Sequence, residues 1–195
     1  MNLAWAGVVP GDSTGLNEVY QPLRVAVVIG VQEYSDPDLQ GLRYAAKDAR
    51  DLGNVLASDS GGGFDRVMVV EGAEFTTAAA IQRAIDQATS DLQRDDTFVL
   101  YLSGHGTLTV DPLEGSQLWF LPSDGELDSP QKSGLGVDWL EARVNELPAR
   151  RRVLIMDTCH NGRSDSKSAV NDPTAMLLQS LRGEPPAPRN LREIS

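Results

Sequence analysis

Residues 97–106 read TFVLYLSGHG and residues 152–162 read RVLIMDTCHNG. Each stretch opens on an apolar run and passes without a spacer into a short polar tip. A continuous apolar run of this length is the pattern of a strand buried on both faces, which belongs to a parallel sheet covered by helices. Two further runs fit the same pattern, RVAVVIG at 24–30 and RVMVV at 66–70. Between them the apolar period changes from strand to helix. Leu42, Ala45, Ala49, Leu52 and Leu56 recur at helical spacing over 42–57, and Ile81, Ala84, Ile85, Ala88 and Leu92 do so over 77–92, with Thr76 or Thr77 as N-cap. The three glycines at 61–63 mark a loop between the first helix and the second strand.

After residue 106 a strand or hairpin is expected around Gln117 to Leu121. Asp138 then reads as a helix N-cap with Glu141 closing a capping box, and Trp139, Leu140, Val144 and Leu147 give that helix an apolar face. The run Arg150-Arg151-Arg152 reads as a solvated helix end that suits the helix dipole. Alternating strands and helices imply an α/β fold of three layers, a mainly parallel central sheet flanked by helices. Outside this block the sequence changes character. Residues 1–22 are polar and broken by prolines, and read as an arm. Residues 23–162 form the folded domain. Residues 163–195 carry one apolar patch (Met176, Leu177, Leu178, Leu181) before Pro185, Pro186 and Pro188, and read as a linker or tail.

Charge and cysteine content narrow the function. A net charge of −11 disfavours nucleic acid and anionic membrane surfaces as partners and favours cationic ones. No apolar run reaches membrane-span length, and the first nine residues lack the basic flank of a signal peptide. The 195 residues include one cysteine, Cys159, so an internal disulfide is excluded and a reducing, cytoplasmic setting is expected.

The chain has two histidines, and both lie with Cys159 in the two polar tips. Ligands of parallel α/β sheets bind outside the carboxyl ends of strands. If the two strands are neighbours, His105 and Cys159 meet in one crevice. A thiolate is a nucleophile, a nearby imidazolium lowers the thiol pKa, and the imidazole can protonate a leaving amine. Gly104 and Gly106 would let the backbone turn tightly and admit a substrate carbonyl, with the N–H groups of Gly106 and Cys159 as an oxyanion hole. Each residue alone has a plainer reading, a small buried thiol and a polar loop cap; the combination favours catalysis. Zinc is disfavoured, because an adjacent Cys-His pair is poor ligand spacing and no second cysteine exists.

The paired motifs SGHG and DTCHNG resemble those of metacaspases and bacterial caspase-like cysteine peptidases, which read SGHG and DSCHSG. RVAVVIGVQEY and LRYAAKDA resemble the family's first strand and helix, so the likeness runs over residues 24–162 in order. Thr158 and Asn161 depart from the family's serines. The separation of 54 residues between His105 and Cys159 agrees with a caspase-type arrangement. The resemblance implies a caspase–hemoglobinase fold and peptide hydrolysis by a His105–Cys159 dyad through a thioester. It implies Asp48, Ser103 and Asp157 as the S1 pocket, and two carboxylates there would select peptides with Arg or Lys at P1. Some metacaspases bind calcium, which makes Asp124 and Asp138 candidate ligands; no cofactor is otherwise implied. It also implies a small portion that completes the sheet. No further strand–helix pair follows Cys159, so a processed subunit, a fragment or a truncated form is expected, with the small portion or an effector domain as partner. Two readings from other classes compete: a catalytically silent caspase-like scaffold or signalling module, and a flavodoxin-like receiver or ligand-binding domain.

Overall fold

The computed structural model describes residues 20–111 and 115–160. The order of elements is β1 (Arg24–Gly30), α1 (Ala45–Ala57), β2 (Arg66–Glu71), α2 (Ala78–Thr89), β3 (Thr97–Asp111), β4 (Gly115–Leu121), α3 (Pro130–Ser133), β5 (Leu135–Gly136), α4 (Val137–Asn145) and β6 (Arg151–His160). The strands form one sheet in which β1 lies between β2 and β3, all parallel, and β6 lies parallel along β3. The sheet is mixed rather than uniformly parallel. From His105 onward β3 pairs antiparallel with β4, and β4 with the two-residue β5.

The mixed character has a local cause. Residues 97–103 are the parallel core strand, and residues 105–111 continue the same strand into a hairpin arm. SGHG is therefore inside β3 and not in a loop after it. DTCH likewise belongs to β6.

Helices cover both faces. Val25, Val27 and Ile29 of β1 and Phe98, Leu100 and Leu102 of β3 pack against Ile81, Ile85 and Ala88 of α2 and Leu140 and Val144 of α4. On the opposite face Ala26, Val28, Val99 and Tyr101 pack against Ala49, Leu52 and Leu56 of α1. Burial of these aliphatic side chains, at about 1.5–3 kcal/mol each, supplies the main driving force of the fold. Gly30 sets the seat of α1: a Cβ there would lie 2.4 Å from the Ala45 carbonyl oxygen. The start of α1, with Asp48 in its first turn, is thus held against the carboxyl end of β1.

Two capping expectations come out differently. Thr77 does cap α2, its hydroxyl accepting from Ala80 N at 3.2 Å. Asp138 is not the N-cap of α4. Gly136 holds that position, because β5 runs directly into the helix, and Asp138 sits in the first turn, where a negative charge suits the dipole. The arginine run is not a helix end. Arg150 pairs with Asp95, and Arg151 and Arg152 begin β6, with Arg152 donating to the Asn145 and Leu147 carbonyls at the end of α4. Most of the 1–22 arm and all of the 163–195 tail lie outside the described residues.

Candidate active site

His105 is 2% exposed and is held on three sides by the segment that follows β1. Its Nε2 lies 2.7 Å from the Gln40 carbonyl oxygen, and its backbone N–H donates to the Tyr34 hydroxyl at 2.8 Å. The Tyr34 ring lies against the imidazole, with centroids 4.8 Å apart and planes tilted by 35°. A carbonyl oxygen only accepts, so Nε2 carries the proton in the neutral ring and Nδ1 holds the lone pair. The Tyr34 hydroxyl also donates to the Val31 carbonyl at 3.2 Å. Burial pushes the Tyr34 phenol up to about 12, against an opposing pull from the His105 backbone bond.

Cys159 is the register partner of His105 in the parallel β3–β6 ladder. Neighbouring strands lie about 4.8 Å apart, which fixes the backbone separation of the pair. Ser103 and Asp157 are partners one period earlier, and Tyr101 and Ile155 one before that. Side chains two apart share a face of a strand, so Tyr101, Ser103 and His105 line the α1 side of β3. Ser103 is buried and Asp157 is exposed. The Tyr101 hydroxyl donates to Asp157 Oδ2 at 3.2 Å. Burial raises the Tyr101 phenol, the Ser103 hydroxyl lowers it, and the charges of Asp157 and Asp48 raise it further. The charge of Asp48, on α1, is thus felt at the same phenol that holds Asp157. His160 pairs with Gly106, the next step of the ladder.

The two glycines of SGHG serve close packing rather than a turn. Neither has positive φ, since both lie in extended strand. A Cβ on Gly104 would lie 2.9 Å from the Phe120 ring and 3.1 Å from the Tyr34 hydroxyl. Gly104 is glycine so that Tyr34 can reach the His105 amide past a fully buried Phe120. A Cβ on Gly106 would lie 3.2 Å from the Thr158 side chain, and Gly106 itself stands in the ladder between Phe120 and His160.

The candidate calcium ligands are not brought together. Asp124 lines a hollow of about 390 Å³ with Asp36, Asp38, Glu126 and Asp128, whereas Asp138 lines another with Thr109, Gln117 and Gln131. The carboxylates of the first hollow already serve the backbone: Asp124 accepts from Ala78 N, and Asp36 from Leu127 N and Asp38 N. Those two backbone bonds hold the Asp36 carboxyl below the usual carboxylate range. Among the described residues no group of three or more His, Cys, Asp or Glu side chains is arranged to hold a metal ion.

Three residues at the site were not anticipated: Tyr34, Gln40 and Tyr101. Gln40 acts through its carbonyl, which carries no side-chain signal. Tyr101 did leave a trace, as a phenol between the apolar residues Leu100 and Leu102, since a buried phenol must find a partner.

A peptidase family model described as the caspase domain matches residues 23–189. The crystal structure of a protein from Geobacter sulfurreducens is similar at 24% identity with a TM-score of 0.56, covering 72% of this chain and 52% of that one. That likeness speaks to fold, and the chain spans about half the length of that solved structure. Comparison with curated proteins gives no match. Among the described residues no helix is long and apolar enough to cross a membrane.

Proposed function

This chain belongs to the caspase-domain family of cysteine peptidases, and we propose that it hydrolyses peptide bonds after Arg or Lys with Cys159 as nucleophile and His105 as proton carrier. The observation that supports this most is the register of the β3–β6 ladder, which makes Cys159 the partner of a histidine whose Nε2 is tied to a carbonyl. With Nε2 so engaged, Nδ1 is the nitrogen that exchanges a proton with the thiol. The thiolate attacks the scissile carbonyl, and the oxyanion forms toward the N–H groups of Gly106 and Cys159. Collapse expels the amine, which takes its proton from the imidazolium and leaves a thioester. Water, deprotonated by the same imidazole, then releases the acid and restores the thiol.

The preference for a basic P1 side chain rests on Asp157 and Asp48, two carboxylates whose charges are both felt at Tyr101. A guanidinium or ammonium is stabilised there, and an acidic P1 side chain meets like charge. The substrates are peptides or proteins of that kind. The small portion expected as a partner fits the outer edge of β6, which has β3 on one side and no described strand on the other, and where Val153 and Ile155 are 45% and 42% exposed.

Peptidyl electrophiles with Arg, Lys or Asp at P1 test the proposal directly. The basic probes should label wild-type protein at Cys159 and fail to label Cys159→Ala. Absence of labelling by every probe would leave a silent scaffold as the better reading, and labelling by the Asp probe alone would overturn the P1 assignment.

A further inference from the structure

We propose that the Tyr101 hydroxyl is the positioning group of the basic P1 subsite, fixing the plane of the Asp157 carboxylate and thereby setting a preference for Arg over Lys. This rests on the basic-P1 reading above and adds to it a residue and a direction of selectivity.

The two residues are unlike in freedom. Asp157 lies within β6 with its side chain exposed, so no packing around it fixes the carboxylate. Tyr101 is 8% exposed, its ring fixed among Ala26, Val28, Ala49 and Val99 between the sheet and α1. Its hydroxyl donates to Asp157 Oδ2 at 3.2 Å. The packed phenol therefore sets the orientation of the exposed carboxylate. Each carboxylate oxygen has two lone-pair sites, so this bond leaves Oδ1, and part of Oδ2, open to a ligand. Burial and the two neighbouring carboxylates keep the phenol protonated, hence a donor, through the neutral range.

The chemical consequence distinguishes the two basic side chains. A guanidinium pairs with a carboxylate as a planar fork, and both N–H···O bonds need the carboxylate plane in one orientation. An ammonium is a point charge with rotatable donors and tolerates a turned carboxylate. Loss of the tether should therefore penalise Arg more than Lys.

The experiment uses the purified full chain and fluorogenic peptides that differ only at P1 (Arg, Lys or Asp), on wild type, Tyr101→Phe, Asp157→Asn and the double variant. Tyr101→Phe keeps the packed ring, and thermal melting together with iodoacetamide alkylation of Cys159 checks that fold and thiol are intact. The Arg peptide should lose about tenfold in kcat/KM, mainly through KM, and the Lys peptide about two- to threefold. The Arg-to-Lys ratio then falls about three- to fivefold. In the Asp157→Asn background, adding Tyr101→Phe should change nothing further, because the phenol acts through the carboxylate. Equal losses for Arg and Lys, or additive losses in the double variant, would overturn the role of Tyr101 while leaving the basic preference in place. A wild-type preference for Asp would overturn the basic-P1 reading itself.

Discussion

Replacing Tyr34 by Phe removes one oxygen atom that serves two backbone groups. The hydroxyl accepts the His105 N–H at 2.8 Å and donates to the Val31 carbonyl at 3.2 Å. The ring, and its contact with the imidazole, remain. Taking the acceptor away from a buried amide costs about 1–3 kcal/mol, so Tm at neutral pH should fall by about 5 °C. Turnover should fall less than tenfold, since the Gln40 tether on Nε2 is untouched. The same residue makes a second, independent demand. The Tyr34 phenol is raised to about 12 in the folded chain, first by burial, and ionises near 10 when unfolded. A raised folded pKa contributes stability that is complete below pH 10 and is lost as pH climbs toward 12, by about 1.4 kcal/mol at pH 11. The Phe variant has no such group to lose. The stability gap between wild type and variant should therefore narrow between pH 8 and pH 11, with the other tyrosines common to both. Urea unfolding followed by circular dichroism at the two pH values measures it. Equal stability at pH 8 would show that the hydroxyl does not hold His105, and a gap unchanged at pH 11 would show that Tyr34 is not the raised phenol.

Four further outcomes are expected. His105→Ala should nearly abolish turnover and His160→Ala should cost much less; the reverse order in steady-state kinetics would reassign the proton carrier. Asp157→Asn should lower kcat/KM for Arg and Lys peptides by about ten- to a hundredfold while sparing iodoacetamide labelling of Cys159, and an unchanged Arg preference would remove Asp157 from the pocket. Gly104→Ala should destabilise by about 1–3 kcal/mol and exceed Gly106→Ala, because its Cβ meets a fully buried Phe120 and displaces the Tyr34 hydroxyl; denaturant midpoints of the two variants decide. Any self-cleavage should follow Arg163, Lys167, Arg182 or Arg189, and mass spectrometry showing cuts only after Asp would contradict the specificity.

The apolar runs at 24–30, 66–70, 97–102 and 152–156 made the strands legible, and the period of Leu and Ala positions made α1 and α2 legible, because burial of one face leaves a direct imprint on residue type. What the pattern could not show is where β3 stops. Gly104 and Gly106 read as turn residues, yet the backbone stays extended through both, since the lack of a side chain is used to admit Phe120, Tyr34 and Thr158. The same ambiguity hid the capping of α4: Asp138 has the right chemistry for an N-cap, but the register of β5 puts Gly136 there. The β3–β6 ladder makes register partners of His105 and Cys159, which were singled out as candidates from residue type and placement. Tyr34 and Gln40, which hold the imidazole, were not, because one acts as a hydroxyl meeting a main-chain amide and the other as a main-chain carbonyl. Such contacts depend on the path of the chain, and at the main-chain end they leave no preference for a residue type.

The single long β3 has a consequence for the order in which the molecule is made. Its partners begin at Arg24, Gly115 and Arg151; the β4 ladder is a local hairpin, whereas the β1 and β6 ladders join residues distant in sequence, the β6 pairing spanning 54 residues. Non-local pairing of this kind is slow to form. During synthesis β1, β2 and β3 can assemble, and His105 can settle against Tyr34 and Gln40, while the cysteine strand is still inside the ribosome. The histidine half is thus built first and waits, and the thiol reaches it only when the last described strand zips along β3. A chain at that stage has the buried His105 seated without the residue that faces it in the ladder, so His105 and Cys159 become neighbours only as the described sheet is completed.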